Sequence, residues 1–444
     1  MAKGKYDVVV IGSGMGGLCS TSLLALYGYK VLCVESLGRP GGRFSTDEFD
    51  GFKLPTGGIG IECRAMVQGV FEEVGAKFDV EDISRHFVWW KGSWIELPER
   101  GQMRFLLSLA GCTPTQVDKI GSAFRDLKRY YDVYKTENPM SFREWLLQYT
   151  TNDDALQAFH VITSAMSELN DFEYPAFHWG EYTSAEGQGG LTYLGLSRKG
   201  NRSNAENMVD AIKAKGGEIW LDSPVKQIII KDNKVTGVLV EKDGKDIEVE
   251  ANAFISNTGP KRTVQLAGRN NFDADYLSKA DGLKEVPLVV SIIASEKLLI
   301  DVPGSVIPLG MRRIVDGHQI TRFCPDWAPP GQHLLILWGT PINCDHPMDV
   351  DKEIEANIQD IKDFAPDFEK YGRILKMDLR DVGDEFPGYR AWPGYTIVQQ
   401  TPFANLFNVG DAVMPSGWEG FAGCAKSARV AVDLIKKGFP PEKT

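Results

Sequence analysis

The run YDVVVI at residues 6–11 has no polar alternation, so it reads as a strand buried on both faces, as in a parallel sheet. Small and apolar residues then recur at helical spacing over 16–27, with Leu18, Ser22, Ala25 and Leu26 on one face. Gly28 falls where a helix would end, and KVLCVE at 30–35 follows as a second strand. Strand, helix, strand within about 30 residues predicts a βαβ unit with a right-handed crossover.

The texture changes near residue 86. HFVWWKGSWIEL predicts a short antiparallel pair turning at Lys91 and Gly92. Residues 103–170 read as mainly helical, and SFREWLLQY offers Ser141 and Glu144 for a capping box. LKRYYDVYK, 127–135, reads as a solvated helix with an aromatic core face. A helix over 205–215 ends at Gly216 and Gly217. Several strands with Asp-Asn and Asp-Gly turns then run to about 256. VPLVVSIIA, 286–294, fits a buried strand. Residues 286–381 mix strand and helix, and the last 50 or so return to strand, glycine turn and helix. The predicted fold class is α/β: a Rossmann-like nucleotide-binding domain in discontinuous segments (1–85, 195–265 and 390–444), with an inserted mixed α+β substrate or cap domain (86–194 and 266–389).

Of the 444 residues, 43% are hydrophobic and 25% charged, the proportions of a soluble globular protein. The net charge of -11 argues against a nucleic-acid partner. Peripheral membrane contact is not favoured for the same reason. The seven cysteines include no C-x-x-C pair and read as reduced thiols, and the N-terminus lacks a signal-peptide pattern, so the expected compartment is the cytoplasm. The sequence contains no H-E-x-x-H, no zinc spacing and no G-x-S-x-G, and no metal is expected.

The chemistry is carried by glycine. Gly12, Gly14, Met15, Gly16 and Gly17 form G-x-G-x-x-G between the first strand and its helix. Gly12 permits the tight turn, Gly14 the approach of a phosphate, and Gly17 the close packing of helix on strand. The helix N-terminus then faces a pyrophosphate. Glu35 ends the second strand, where it can accept hydrogen bonds from a ribose and repel a 2′-phosphate. Just beyond Ser36, Gly41 and Gly42 bring more backbone to the phosphates, and Arg43 adds a fixed positive charge.

This combination resembles the FAD-dependent amine oxidase and phytoene desaturase superfamily. The C-terminal NLFNVGDAVMPSGWEGFAGCAKSARVAVDLI is similar to the end of family members. The resemblance implies non-covalent FAD, with Asp411 of Gly410-Asp411 at the ribityl and phosphate region and backbone near Gly420, Phe421 and Ala422 at the pyrimidine edge. It further implies Val225 at adenine, Gly57 and Gly58 near the isoalloxazine, and AFISNTGP (253–260) as the strand returning to the FAD domain. Tyr193, Trp392, Tyr395 and Trp418 are the aromatic candidates beside the ring, with packing as the alternative for each. No catalytic acid or base is assigned beyond flavin N5 itself. His86 and His178 stand alone and read as packed residues. Lys284 reads as a surface lysine, and Cys424 as a buried thiol.

The expected function is hydride removal from a largely apolar small molecule onto flavin N5, in the manner of a desaturase or dehydrogenase, with oxygen or a quinone as acceptor. A soluble amine oxidase is the alternative, a flavin isomerase another, and a lipid-binding protein of the Rab GDP-dissociation inhibitor type the alternative of a different class. A homodimer is compatible with the sequence.

Overall fold

The computed structural model describes residues 5–137, 139–184, 193–345, 347–380 and 391–441. Among these, two sheets of seven strands carry the architecture. The first begins with the expected unit: Tyr6–Ile11, the helix Met15–Leu26, then Val31–Val34, which pairs in parallel with the first strand. Its strand order is Glu218–Trp220, Val31–Val34, Tyr6–Ile11, Lys245–Ser256, Lys234–Lys242 and Val225–Lys231, with Leu406–Asn408 also paired to Lys245–Ser256. The long strand Lys245–Ser256 does two jobs. Its first half pairs antiparallel with Lys234–Lys242, and its second half pairs parallel with Tyr6–Ile11.

Both faces of that sheet are covered. Val8 and Val10 point to one side and pack with Leu18, Leu23, Ala425, Ala428 and Val432, from the Met15–Leu26 helix and the C-terminal helix Gly420–Gly438. Val9 and Ile11 point to the other side, against Val264, Tyr276 and Ala280. The unbroken apolar run at 6–11 follows from this two-sided burial.

The second sheet orders Gly372–Arg380, Leu288–Ser295, His333–Gly339, Ile314–Gln319, Ser305–Pro308, His86–Trp90 and Ser93–Glu96. The last two strands are the expected antiparallel pair, turning at Lys91 and Gly92 with φ of 47° and 91°. A helical layer packs around Phe124, Phe142, Trp145, Phe159 and Trp179, and the Phe142 and Trp179 rings stack at 4.5 Å. The capping box forms: Ser141 Oγ accepts from Glu144 N, and Glu144 Oε2 accepts from Ser141 N at 2.8 Å. The stretch 127–135 divides between the helices Pro114–Arg129 and Tyr131–Thr136: Leu127 is fully buried, while the second helix buries no residue fully. Its polar positions interrupt any apolar stripe over so short a length, and only Tyr134 leans on the helical core. Among the described residues, no helix is long and apolar enough to cross a membrane.

One face of the second sheet packs Ile292, Ile336 and Trp338 with Phe52, Ile59 and Leu194. Asp316 and His318 lie on the same face, opposite Trp338 and Ile336. His318 is fully buried, neither ring nitrogen makes a hydrogen bond, and its ring meets Trp338 edge-on at 5.2 Å. Burial, with a smaller contribution from His86, pushes its imidazole down to about 3. The unfolded chain takes up this proton near pH 6.5 and the folded chain does not, so stability falls as pH drops from there toward 3. By about pH 4.5 the loss is of the order of 3 kcal/mol at ~1.4 kcal/mol per pH unit. His318→Leu should therefore resist acid unfolding better than the natural protein, read as melting temperature between about pH 7 and 4.5.

Candidate cofactor and active site

The glycines of 12–17 build a bare cradle. Gly12 adopts φ 90°, and its N–H donates to Val34 O at 2.7 Å, turning the chain out of the strand. Gly14 caps the Met15–Leu26 helix with its own backbone and bridges in parallel to Gly41, whose N–H donates to Ser13 O at 2.9 Å. The two glycine motifs are thus one surface. Gly42 continues it, since a Cβ there would lie 3.5 Å from Gly14 Cα. Asn257, just past the end of Lys245–Ser256, packs beneath: a Cβ on Gly14 would fall 2.5 Å from its Nδ2, and one on Gly16 would fall 2.7 Å from its Oδ1. Asn257 escaped the sequence reading, although its stretch 253–260 was singled out as the returning strand.

Glu35 is buried beside this surface. Its Oε2 accepts from Ser13 N and Ser13 Oγ, both at 2.7 Å, and its Oε1 accepts from Leu37 N at 2.9 Å and Ser36 Oγ at 3.2 Å. Ser223 N donates to Glu35 O at 2.8 Å, which brings the start of the Val225–Lys231 strand to the same edge.

The chain ends meet at Arg43. Its guanidinium grips Asp411 with two nitrogens, Nη2 at 2.9 Å from Oδ1 and Nη1 on Oδ2, across 368 residues of sequence. Burial opposes the charge of Arg43, but Asp411 outweighs it and holds the guanidinium above its ordinary range. Gly410 adopts φ 105° and donates its N–H to Ser427 Oγ at 2.9 Å. The helix Gly420–Gly438 begins next to the Gly57 and Gly58 loop, where a Cβ on Gly58 would meet the Phe421 ring at 2.6 Å. Asn201 Nδ2 fixes that loop by donating to Gly58 O at 2.8 Å, and Arg380 reaches Gly57 O at 3.4 Å. Ala422 is buried under the helix start with Met414 and Trp418.

A cavity opens at the same helix end, lined by His178, Ala391, Pro393, Gly394, Thr396, Met414, Pro415, Ser416, Trp418 and Glu419. Trp418 is thus the aromatic candidate in its wall. Trp392 is buried in the helical layer and donates its indole N–H to Glu285 O at 3.0 Å. Tyr395 meets Trp392 edge-on and is 40% exposed. Lys284 lies over both rings, 4.3 and 5.3 Å from their centres, and pairs with Asp345 at 3.3 Å. Tyr193 stacks under Arg64 at 4.7 Å, and its carbonyl accepts from Cys63 N. Cys424 is buried and its thiol is pushed up by that burial, away from an activated nucleophile. His86 Nδ1 shares a hydrogen bond with Ser305 Oγ, packed within the second sheet.

A paired-sheet α/β fold with a glycine cradle at a strand-to-helix turn, a buried acid on the next strand and an arginine-carboxylate clamp defines a dinucleotide-dependent protein. The chain belongs to the flavin-containing amine oxidoreductase family, which matches residues 15–436. It is 23% identical to an uncharacterised protein of Methanocaldococcus jannaschii over 96% of this chain and 98% of that one. It is 25% identical to the neurosporene-forming phytoene desaturase of Rhodobacter capsulatus, over 60% of this chain and 55% of that one. The chain thus spans about half the length of that desaturase. Among solved structures, an oxidoreductase from Methanosarcina mazei superposes with a TM-score of 0.82 at 23% identity, covering 96% of this chain and all of that one. A putrescine oxidase superposes at 0.74 with 16% identity, over 97% and 99% of the two chains. The protein is a flavin-dependent oxidoreductase.

The residues fit FAD. Side chains at Gly14 and Gly16 would collide with Asn257 and displace the bare backbone a diphosphate needs, and the Met15–Leu26 helix begins at the same spot with its first N–H groups available to an anion. Glu35→Gln keeps the shape but swaps one acceptor oxygen for a donor facing Ser13 or Leu37. Charge-assisted hydrogen bonds contribute roughly 1.5–3 kcal/mol, so flavin affinity should fall about 10- to 100-fold, as measured by equilibrium dialysis of the deflavinated protein.

Proposed function

We propose that this protein removes a hydride from a C–H bond of a largely apolar small molecule, with FAD held in a Rossmann-like cradle as the immediate acceptor. FAD supplies the two-electron chemistry when bound. The chain supplies orientation, exclusion of water and control of charge.

The observation that carries this reading is the state of the cavity's carboxylate. Among the described residues of the lining Glu419 is the one acid, and it is already engaged: Tyr174 OH donates to its Oε1 at 3.3 Å, and His178 Nε2 lies 3.3 Å from the same oxygen. A substrate ammonium would find its counter-ion taken. Beside the polar His178, Thr396 and Ser416, the wall offers Ala391, Pro393, Met414, Pro415 and Trp418 as apolar surface for a hydrocarbon. The likeness to phytoene desaturase supports the same direction, with the matched length limiting it to a class of reaction.

The test is product analysis under air. Incubation with cyclic terpenes, 3-oxosteroids and polyenes should yield a product two hydrogens lighter from at least one class. Release of ammonia from primary amines in their place would overturn the reading and leave an amine oxidase.

A further inference from the structure

His178 was expected to be a packed histidine. It is buried, but it sits at the centre of a chain of polar groups joining the helical layer to the start of the C-terminal helix. Its Nδ1 lies 3.1 Å from Glu181 Oε2 on its own helix, Ala176–Ser184. Its Nε2 lies 3.3 Å from Glu419 Oε1, and Glu419 is the N-cap of Gly420–Gly438. Glu181 is held further by Ser416 Oγ at 2.6 Å and by Lys135 Nζ at 3.3 Å. Glu419 is held further by Tyr174 OH. Side-chain exposure of His178, Glu181 and Glu419 is only 5 or 6%, while Lys135 is 45% exposed and reaches solvent.

The arrangement gives the helix end a switchable positive charge. Within its first turn, Phe421 packs on Gly58, in the loop that the family resemblance sets beside the flavin ring. Charge appearing on the cofactor would be felt at Glu419 and passed to His178 across the 3.3 Å between Glu419 Oε1 and the imidazole Nε2. Lys135 and Glu181 give the imidazole a polar route to water on its other side.

We propose that His178 is the redox-linked proton site of this enzyme, taking up one proton from solvent as the bound flavin gains negative charge. The proposal rests on FAD binding in the cradle described above. The electron and proton count is simple. The substrate C–H bond would break with its hydrogen and electron pair passing together to the flavin as hydride, which would leave the flavin with one negative charge, while the second hydrogen would leave the neighbouring carbon as H+ to solvent as the double bond forms. His178 takes one H+ from water by way of Glu181 and Lys135, and releases it when the acceptor reoxidises the flavin. His178 acts through Glu419 and is a positioning residue for charge.

The ionisable groups that face the imidazole favour this role. Burial alone pushes His178 down, but Glu181 and Glu419 outweigh it and raise the imidazole above its ordinary value. Glu181 is correspondingly held below the usual carboxylate range by His178, Ser416 and Lys135, against its own burial. Lys135 and Tyr174 are the further titratable groups in contact with those carboxylates.

The experiment is a spectroelectrochemical titration of the FAD-loaded enzyme from about pH 6 to 10. A two-electron couple that takes up one extra proton falls by about 30 mV more per pH unit. The natural enzyme should show that added slope over a window above pH 6.5, and His178→Gln should lose it while retaining one flavin per chain. Glu419→Gln removes one carboxylate, lowers the affinity of His178 for its proton, and should move the window to lower pH. The second variant decides the matter if the first does not fold. Unchanged potential–pH curves in flavin-loaded variants would overturn the proposal. Failure of the natural protein to bind flavin at all would instead overturn the cradle reading beneath it.

Discussion

Gly17→Ala is expected to yield no flavin-loaded protein. A methyl group there would lie 2.0 Å from Gly12 O, a backbone atom fixed by the turn out of the first strand. No rotamer change relieves it. Either the helix lifts off the strand or the turn opens, and both destroy the cradle. Overpacking of this kind costs about 1–3 kcal/mol where side chains can yield, and more where backbone must move. Gly69→Ala is the matched control. Gly69 lies exposed in the helix Met66–Val74, with nothing within 4 Å of its added Cβ. It should gain roughly 0.5–1 kcal/mol from the loss of unfolded-chain freedom. Flavin absorbance per protein and melting temperature, taken on both variants, read the contrast. A flavin-loaded Gly17→Ala with a natural melting temperature would show that the helix does not need bare backbone at that point.

The second large effect belongs to the clamp. Asp411→Ala should leave a folded protein that holds FAD roughly 10- to 100-fold more weakly, from the loss of a bidentate charge-assisted pair of about 1.5–3 kcal/mol. Arg43 is more than a third exposed and can turn toward water, so the stability loss should be smaller than for a fully buried pair. Arg43→Met should act in the same direction, because it leaves Asp411, only 15% exposed, without its guanidinium. The double variant should be little worse than either single one, since each removes the same pair. Additive losses would mean that the two residues hold the cofactor independently.

These two sites also mark how far the sequence could be read. The βαβ unit and its glycines were legible because their signal is local. An unbroken apolar strand, a glycine turn and a helix lie within about 30 residues, and each glycine has a steric reason. Arg43 and Asp411 could be named separately, and the resemblance put both near the cofactor, but their direct pairing spans 368 residues and has no periodicity to reveal it. Asn257 was hidden for another reason: it lies against the Cβ positions of five glycines of two motifs, Gly12, Gly14, Gly16, Gly17 and Gly410, and nothing in its neighbours marks an amide as a packing wedge. His178 was read as a lone histidine. Its partner Glu181 was visible three residues on, but the deciding partner, Glu419, comes from the far end of the chain. The aromatic residues divided according to packing. Trp418 reached the cavity wall, while Trp392 and Tyr395 went to the edge under Lys284, a distinction that composition cannot make.

The cavity beside the C-terminal helix was the least legible part. Its walls come from 391–396, 414–419 and one helix residue, and apolar lining residues look in sequence like any other core. The buried Asp316 and His318 pair belongs to the same class of feature, since alternation on a strand shows a shared face without showing that the face is closed.

In the proposed reaction a hydride leaves an apolar carbon substrate for bound FAD. The most direct test is anaerobic titration of the purified, FAD-loaded protein, followed in the visible flavin bands. Expected are stoichiometric bleaching with an apolar alicyclic or polyene substrate, no bleaching with simple amines, and recovery of the bands on admitting oxygen or a quinone. Bleaching by amines alone would contradict it.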